Sequence, residues 1–272
     1  MVFKAPNLLL FFCMKSLQGK IVVVTGASRG LGLELARAFA VEGCRVAMAA
    51  RDHRALHDAA EKIAALGGQT LPFVCDVTRR EEVEKFAERI TTVWEPAQIL
   101  INNAGIARAM RFIDMPDELW HEILAVNLTG VYNCCKVFLP AMIQSQYGRI
   151  INIASTTAKV GYPHVSAYTA SKHGLLGLTR SLALETAQLG VTVNAICPGY
   201  VDDERTRENA RVMAEKTGKT VDDIIRLFAA SAPQNRLIAP AEVASLAVLI
   251  ASERLGGMTG QAVNVDGGAV MV

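Results

Sequence analysis

Ile21-Val22-Val23-Val24-Thr25-Gly26-Ala27-Ser28-Arg29-Gly30-Leu31-Gly32 decides how this chain folds. The first five residues form a short β-branched run bounded by glycine, the pattern of a strand buried on both faces. A glycine turn follows, and Leu31–Glu42 then carries helical periodicity. Glycines let such a turn pass close to a pyrophosphate, while the free N–H groups of the following helix start attract an anion. The spacing is Gly-x-x-x-Gly-x-Gly rather than Gly-x-Gly-x-x-Gly, and alone it is compatible with ordinary strand-to-helix turn chemistry. Its place after the first strand of an alternating chain gives it weight.

That alternation continues outward. Strands are expected at Arg45–Ala50, Leu71–Cys75, Ile99–Asn102, Ile150–Ala154, Val191–Ile196 and Ala262–Val265. Helices are expected at about His53–Leu66, Glu81–Val93, Glu118–Val126, Val131–Ser145 and Ala167–Gln188. The long, charged segment 202–230 holds helical stretches at Arg207–Lys216 and Val221–Ala230, broken at Thr217-Gly218-Lys219, and reads as a two-helix lid. Strands separated by helices imply a parallel sheet covered on both faces. The expected fold is α/β: one doubly wound Rossmann-type domain, a parallel seven-stranded sheet and a helical lid after the sixth strand.

The 272 residues, 51% apolar and 20% charged, supply ample material for one core. A formal charge of +2 without like-charge blocks gives no support to nucleic-acid binding. Cys13, Cys44, Cys75, Cys134, Cys135 and Cys197 form no Cys-x-x-Cys pair and sit mostly in apolar runs. They read as buried reduced thiols, with no metal site, in a reducing compartment. Residues 1–14 do not match the rest. Leu8-Leu9-Leu10-Phe11-Phe12 after Lys4 hints at a signal peptide, but it is too short to span a bilayer and no small-residue cleavage site follows. Met14 looks like a natural chain start. The expectation is a superfluous or disordered extension on a cytoplasmic protein, with the domain over 15–272; a targeting or interfacial anchor is the alternative.

Chemistry is concentrated at Tyr168-Thr169-Ala170-Ser171-Lys172, with Ser155 thirteen residues upstream of the tyrosine. A tyrosine and a lysine four apart share one helix face. The ammonium favours the phenolate and brings the phenol toward a working acid–base range. A serine hydroxyl can donate to a carbonyl oxygen on which charge develops. By itself the Tyr-x-x-x-Lys spacing is common on solvated helices.

Thr25 to Gly32, Asn102-Asn103-Ala104-Gly105, Asn127, Ser155, Tyr168-x-x-x-Lys172, Pro198-Gly199 and Val265-Asp266-Gly267-Gly268 occur in order. From about Leu17 onward the chain closely resembles the short-chain dehydrogenase/reductases. The resemblance implies Tyr168 as general acid–base, Ser155 as the residue that polarises the carbonyl, and Lys172 as holder of the nicotinamide ribose. It implies that Asn127 completes a water-linked proton relay, although its position also permits a helix cap. Gly26, Ser28, Arg29, Gly30 and Leu31 would line the dinucleotide phosphates, and the Asn103-Ala104-Gly105 backbone the adenine ribose. Asp76, with Val77 beside it, would accept the adenine amino group; in isolation Asp76 is more simply a cap near Thr78. Pro198, Gly199 and Val201 would begin the wall around the nicotinamide.

Cofactor choice follows from charge. Where NAD-preferring relatives place a carboxylate after the second strand, this chain has Ala49-Ala50-Arg51-Asp52. Arg51 and Arg29 suit a ribose 2′-phosphate, so NADP(H) is favoured; NAD(H) stays open through Asp52 if it turns inward. The pocket segments would supply Ile106, Arg108, Met110, Thr156, Thr157, Gly161, Tyr162, His164, Val165, Tyr200 and Val201. Asp202-Asp203-Glu204 departs from the threonine the family often carries there, and Thr206 is the nearest hydroxyl. General similarity is greatest to 3-oxoacyl-thioester and polyketide ketoreductases, then to 3-hydroxybutyrate dehydrogenase-like enzymes. The resemblance thus implies an oxidoreductase interconverting a small-molecule ketone and secondary alcohol, acting as a homotetramer without nucleic acid or membrane. Tyr132, Phe138, Leu175, Leu178 and Leu182 could serve the interface or the core. A sugar or cyclic-alcohol dehydrogenase is an alternative, and a non-catalytic dinucleotide sensor is the alternative of another class.

Overall fold

A computed structural model describes residues 17–272; the extension over residues 1–14 and Cys13 lie outside the described residues. Seven strands, β1 (Ile21–Thr25), β2 (Arg45–Ala50), β3 (Gln69–Val74), β4 (Ile99–Asn102), β5 (Gly148–Ile153), β6 (Val191–Pro198) and β7 (Ala262–Val265), form one sheet in the order β3-β2-β1-β4-β5-β6-β7. Every pairing is parallel. The strand order reverses between β1 and β4, which opens a crevice at their carboxyl ends.

The helices are α1 (Gly30–Val41), α2 (His53–Ala64), α3 (Arg80–Val93), α4 (Asp117–Leu124), α5 (Gly130–Gln144), α6 (Ser166–Thr186), α7 (Glu204–Thr217), α8 (Val221–Ala230) and α9 (Pro240–Ala251). Strand side chains alternate between two cores. Val22 and Val24 join α1, α2 and α9 on one face; Ile21 and Val23 join α3, α5 and α6 on the other. Both faces are covered, so the strands read as continuous apolar runs rather than alternating ones.

Bounds shift by a residue or two at several elements, β5 and β6 among them, and two differences carry a physical reason. β3 starts at Gln69 and stops at Val74, leaving Cys75 beyond it. It holds Pro72, tolerated because β3 is an edge strand bonded only to β2. Helix α9 had no sequence signal because it is apolar almost all round and shows no stripe. It begins with Pro240 at its first turn and packs on α1.

Asp117–Gln144 runs as α4, one π-helical turn at Ala125–Thr129, and α5. This run is long and apolar enough to cross a bilayer, yet half of its most apolar stretch is buried inside the fold. Phe138 and Leu175 belong to the core and Leu178 and Leu182 pack against it, whereas Tyr132 is exposed beneath the Arg80 guanidinium.

Candidate active site

The crevice is held open by β1 and β4 themselves. The buried Thr25 hydroxyl accepts from the backbone N–H groups of Asn103 and Ala104, both at 3.0 Å. Asn103 Nδ2 donates back to the carbonyls of Thr25 and Gly26 at 3.0 and 3.2 Å. The glycine turn is thereby fixed against the end of β4. Gly26 has φ +66°, and a Cβ on Gly32 would stand 2.0 Å from the Gly26 carbonyl oxygen, so only glycine fits there. The start of α1 has no side-chain cap and no acidic residue in its first turn. Its N–H groups are left for an anion.

A cleft of about 620 Å³ runs along this edge. Gly26, Ser28, Arg29, Gly30, Leu31, Arg51, Asp76, Val77, Asn103, Ala104 and Gly105 all line it. Arg29 and Arg51 are exposed and take no ion-pair partner among the described residues. Asp52 caps α2, its Oδ1 accepting from the Ala55 N–H at 3.0 Å. Asp76 Oδ1 accepts from the Thr78 N–H at 2.9 Å and hydroxyl at 2.8 Å, so it braces the turn before α3 while also lining the cleft.

Beyond Gly105 lies a second cluster, on β5 and α6. Ser155 follows the end of β5 and caps a short 3-10 turn, its Oγ accepting from the Thr157 N–H at 3.2 Å. Tyr168 and Lys172 stand on the first two turns of α6, with the Lys172 Nζ 5.7 Å from the tyrosine ring centre. The Tyr168 hydroxyl has no hydrogen-bond partner among the described residues. Lys172 is buried, and its ammonium donates to the Ile153 carbonyl at 2.7 Å. Burial, with the Arg205 guanidinium adding to it, pushes Lys172 down to about 7.

Asn127 sits in the π-helical turn, fully buried. Its Oδ1 accepts from the Ile106 N–H at 2.8 Å, and its Nδ2 donates to the Ile106 carbonyl and to Ser171 Oγ at 2.9 and 3.1 Å. Ser171 Oγ donates to the Tyr168 carbonyl at 2.7 Å. The Asn127 side chain therefore ties the loop after β4 to the helix that carries Tyr168. Pro198 ends β6, Gly199 leaves room for Asp266, and Val201 is buried and bridges to Ile238; none of the three lines the cleft along the glycine turn.

A family description, short chain dehydrogenase, matches residues 20–214. The chain belongs to the short-chain dehydrogenase family. Membership makes it an oxidoreductase of carbonyl and alcohol groups. It is 38% identical over 93% of its length to a D-beta-hydroxybutyrate dehydrogenase of Cupriavidus necator, covering 99% of that protein. It is 35% identical over 94% of its length to a putative ketoacyl reductase of Streptomyces coelicolor, covering 98% of that protein. Among solved structures, a point variant of actinorhodin polyketide ketoreductase with NADPH superposes with TM-score 0.90 at 34% identity, covering 94% of this chain and 99% of that one.

Several features of this short-chain dehydrogenase left no mark in the sequence pattern. Asp203, Arg205, Glu208 and Asn209, from the start of α7, line the same cleft as the glycine turn. Tyr200 stacks flat on Phe228 of α8, ring centres 4.3 Å apart, which joins the end of β6 to the two-helix segment. His164 is exposed with φ +66°, and its carbonyl accepts from the Met110 N–H at 2.7 Å, tying the loops after β4 and β5 together. Only a motif with fixed spacing could have pointed to these contacts, and none spans them.

Proposed function

We propose that this short-chain dehydrogenase interconverts a 3-oxoacyl-type ketone and its secondary alcohol with NADP(H). The observation that carries the reading is the convergence of Ser155, Tyr168 and Lys172 on β5 and α6 beside a glycine-cradled cleft. The residues present fit a dinucleotide. Glycine at 26 and 32 lets the turn close tightly against itself and the loop after β4, the start of α1 is uncapped, and two unpaired arginines line the cleft. NADP is favoured over NAD because Arg29 and Arg51 are free to pair with a 2′-phosphate, while Asp52 is engaged at the start of α2. The relative solved with NADPH supports the same preference.

Arg29, Arg51 and the turn from Gly26 to Leu31 would hold the phosphates, and Asp76, Val77 and the Asn103–Gly105 backbone the adenosine half. Pro198, Gly199 and Val201 would bound the nicotinamide, which when bound supplies or accepts hydride at the carbonyl carbon. Ser155 donates a hydrogen bond to the carbonyl oxygen as charge develops there. Tyr168 gives its phenolic proton to that oxygen in reduction and recovers it in oxidation. Lys172 favours loss of the phenolic proton when its amine is protonated, and Asn127 sets the Ile106 loop and the Ser171 turn around it. With both Nδ2 hydrogens and one Oδ1 lone pair engaged, a water-linked relay at Asn127 would run through its backbone or the remaining Oδ1 lone pair. A dehydrogenase for 3-hydroxybutyrate is the second reading, favoured by the relative from C. necator. We place the enzyme as a cytoplasmic homotetramer, with exposed Tyr132 on α5 available to an interface.

Tyr168→Phe removes the proton donor and leaves the ring. It should abolish reduction of acetoacetyl esters while NADPH, followed by its fluorescence, binds with unchanged affinity. Near wild-type turnover in that variant would sink the mechanism. Ser155→Ala should act mainly on kcat.

A further inference from the structure

Arg149, the second residue of β5, is only 6% exposed, yet it has no carboxylate partner among the described residues. Its Nη1 donates to the Gly148 carbonyl at 2.8 Å and to the Gly190 carbonyl at 3.4 Å. Its Nε is buried without a partner, and its Nη2 makes no hydrogen bond among the described residues. The Tyr147 ring does not settle this charge, because two cations share it. The guanidinium carbon lies 4.6 Å from the ring centre and the Lys20 ammonium 4.0 Å from it. Glu253, the acid on the same wall, is more than half exposed and stands 3.9 Å from Lys20. A buried cation left without an anion is costly.

A cavity of about 320 Å³ adjoins this guanidinium, at the amino ends of β5 and β6 and a strand's length from Ser155. A Cβ on Gly256, on the cavity wall, would stand 3.9 Å from Arg149 Nη2, so that nitrogen faces the same space. Thr192 of β6 lines it with a hydroxyl that has no hydrogen bond among the described residues. The Thr259 hydroxyl, from the segment before β7, accepts from the Val193 N–H at 3.1 Å and keeps its own proton to donate. The buried Tyr147 hydroxyl on the same wall is also unpartnered. Because Nη1 is spent and Nε is shut in, neither edge of the fork can give a carboxylate its two parallel bonds. What remains is single donors from three segments of chain, which a tetrahedral anion meets with one oxygen apiece. We propose that this cavity binds one tetrahedral oxyanion of the phosphate class, with Arg149 as its charge partner, at the end of the sheet away from the reaction. Arg149 and Lys20 outnumber Glu253 there, so the local field favours an anion.

The test follows thermal unfolding of the NADPH complex, whose own phosphate cradle is then filled, against inorganic phosphate at constant ionic strength. Wild type, Arg149→Met and Gly256→Val are compared. Gly256 has φ −56°, and a Cβ there would meet the Glu253 carbonyl at 3.4 Å, an ordinary contact, so valine fits and its methyl groups obstruct Nη2. In the wild type the melting temperature should rise by about 2–4 °C and then level off as the site fills. Both variants should lose that saturable rise while still binding NADPH, and acetate should not reproduce it. A wild type indifferent to phosphate overturns the site. So does a rise that never saturates and is equal in all three proteins, which is the general effect of phosphate on burial. Saturation by acetate but not by phosphate overturns the tetrahedral class. Should Arg149→Met fail to fold, Gly256→Val decides alone: a saturable rise that survives it puts the anion elsewhere and overturns the assignment.

Discussion

Thr25 closes the end of β1 by accepting two backbone N–H groups of the loop after β4. Thr25→Val keeps the shape and removes the acceptor, leaving both donors part-buried and unpaired. Urea unfolding should show a loss of about 1–3 kcal/mol, with weaker NADPH binding because the glycine turn loses its anchor. Two glycines give a sharper contrast. Gly32→Ala would drive a methyl group into the Gly26 carbonyl, costing about 1–3 kcal/mol and the cofactor site with it. Gly177→Ala, in the interior of α6 with nothing within 4 Å of the new Cβ, should instead stabilise by about 0.5–1 kcal/mol. Thermal melts of the two variants should move in opposite directions. At the cleft rim, Arg51→Ala should weaken NADPH by roughly ten- to a hundredfold and NADH little, since a charge-assisted bond to phosphate contributes about 1.5–3 kcal/mol. Equal weakening of both cofactors, followed by fluorescence titration, would remove the 2′-phosphate clamp.

The two helices after β6 are delimited by their caps. Gly218 ends α7 in the left-handed region at φ +70°, and Thr220 opens α8 through a reciprocal capping box with Asp223. Beyond the small Ala210–Ala214–Ile224 cluster, they meet the rest of the fold through contacts such as the Tyr200–Phe228 stack. Thr220→Ala should cost about 1 kcal/mol and speed hydrogen exchange in α8 more than in the sheet. Uniform acceleration across the protein would show that α8 does not open separately. Both helices were legible from the Thr217-Gly218-Lys219 break because capping is local. Helix α9 was not, since a helix buried nearly all round has no polar face to set a period. The edge strand β3 blurred for a related reason: Pro72 interrupts its β pattern, and only its position beside β2 alone makes the proline acceptable.

Across the whole molecule, buried ionisable groups set how stability depends on pH. Lys172 falls from its ordinary 10.5 to about 7 on folding, so between about 7 and 10.5 the unfolded chain binds more protons there and stability rises with pH. Burial pushes Cys44, Cys75 and Cys135 from 9.0 up to about 12, so their contribution is full below 9 and is lost from there toward 12. The ligand-free protein should therefore gain stability from about pH 7 to about 9 and lose it above. Lys172→Met should flatten the rising limb and keep the falling one; a wild-type melting temperature independent of pH between 7 and 9 would contradict this. The sequence alone determined the alternation of strands and helices, the glycine turn, and the shared face of Tyr168 and Lys172, because each depends on residues within a turn or two of one another. Only the tertiary structure decided that Asp52 is spent on α2 and that Asn127 braces Ile106. It alone brought Asp203, just before α7, against Gly30 at the start of α1. Those facts depend on strand order and helix crossovers, which bring distant residues together without leaving a period in the chain.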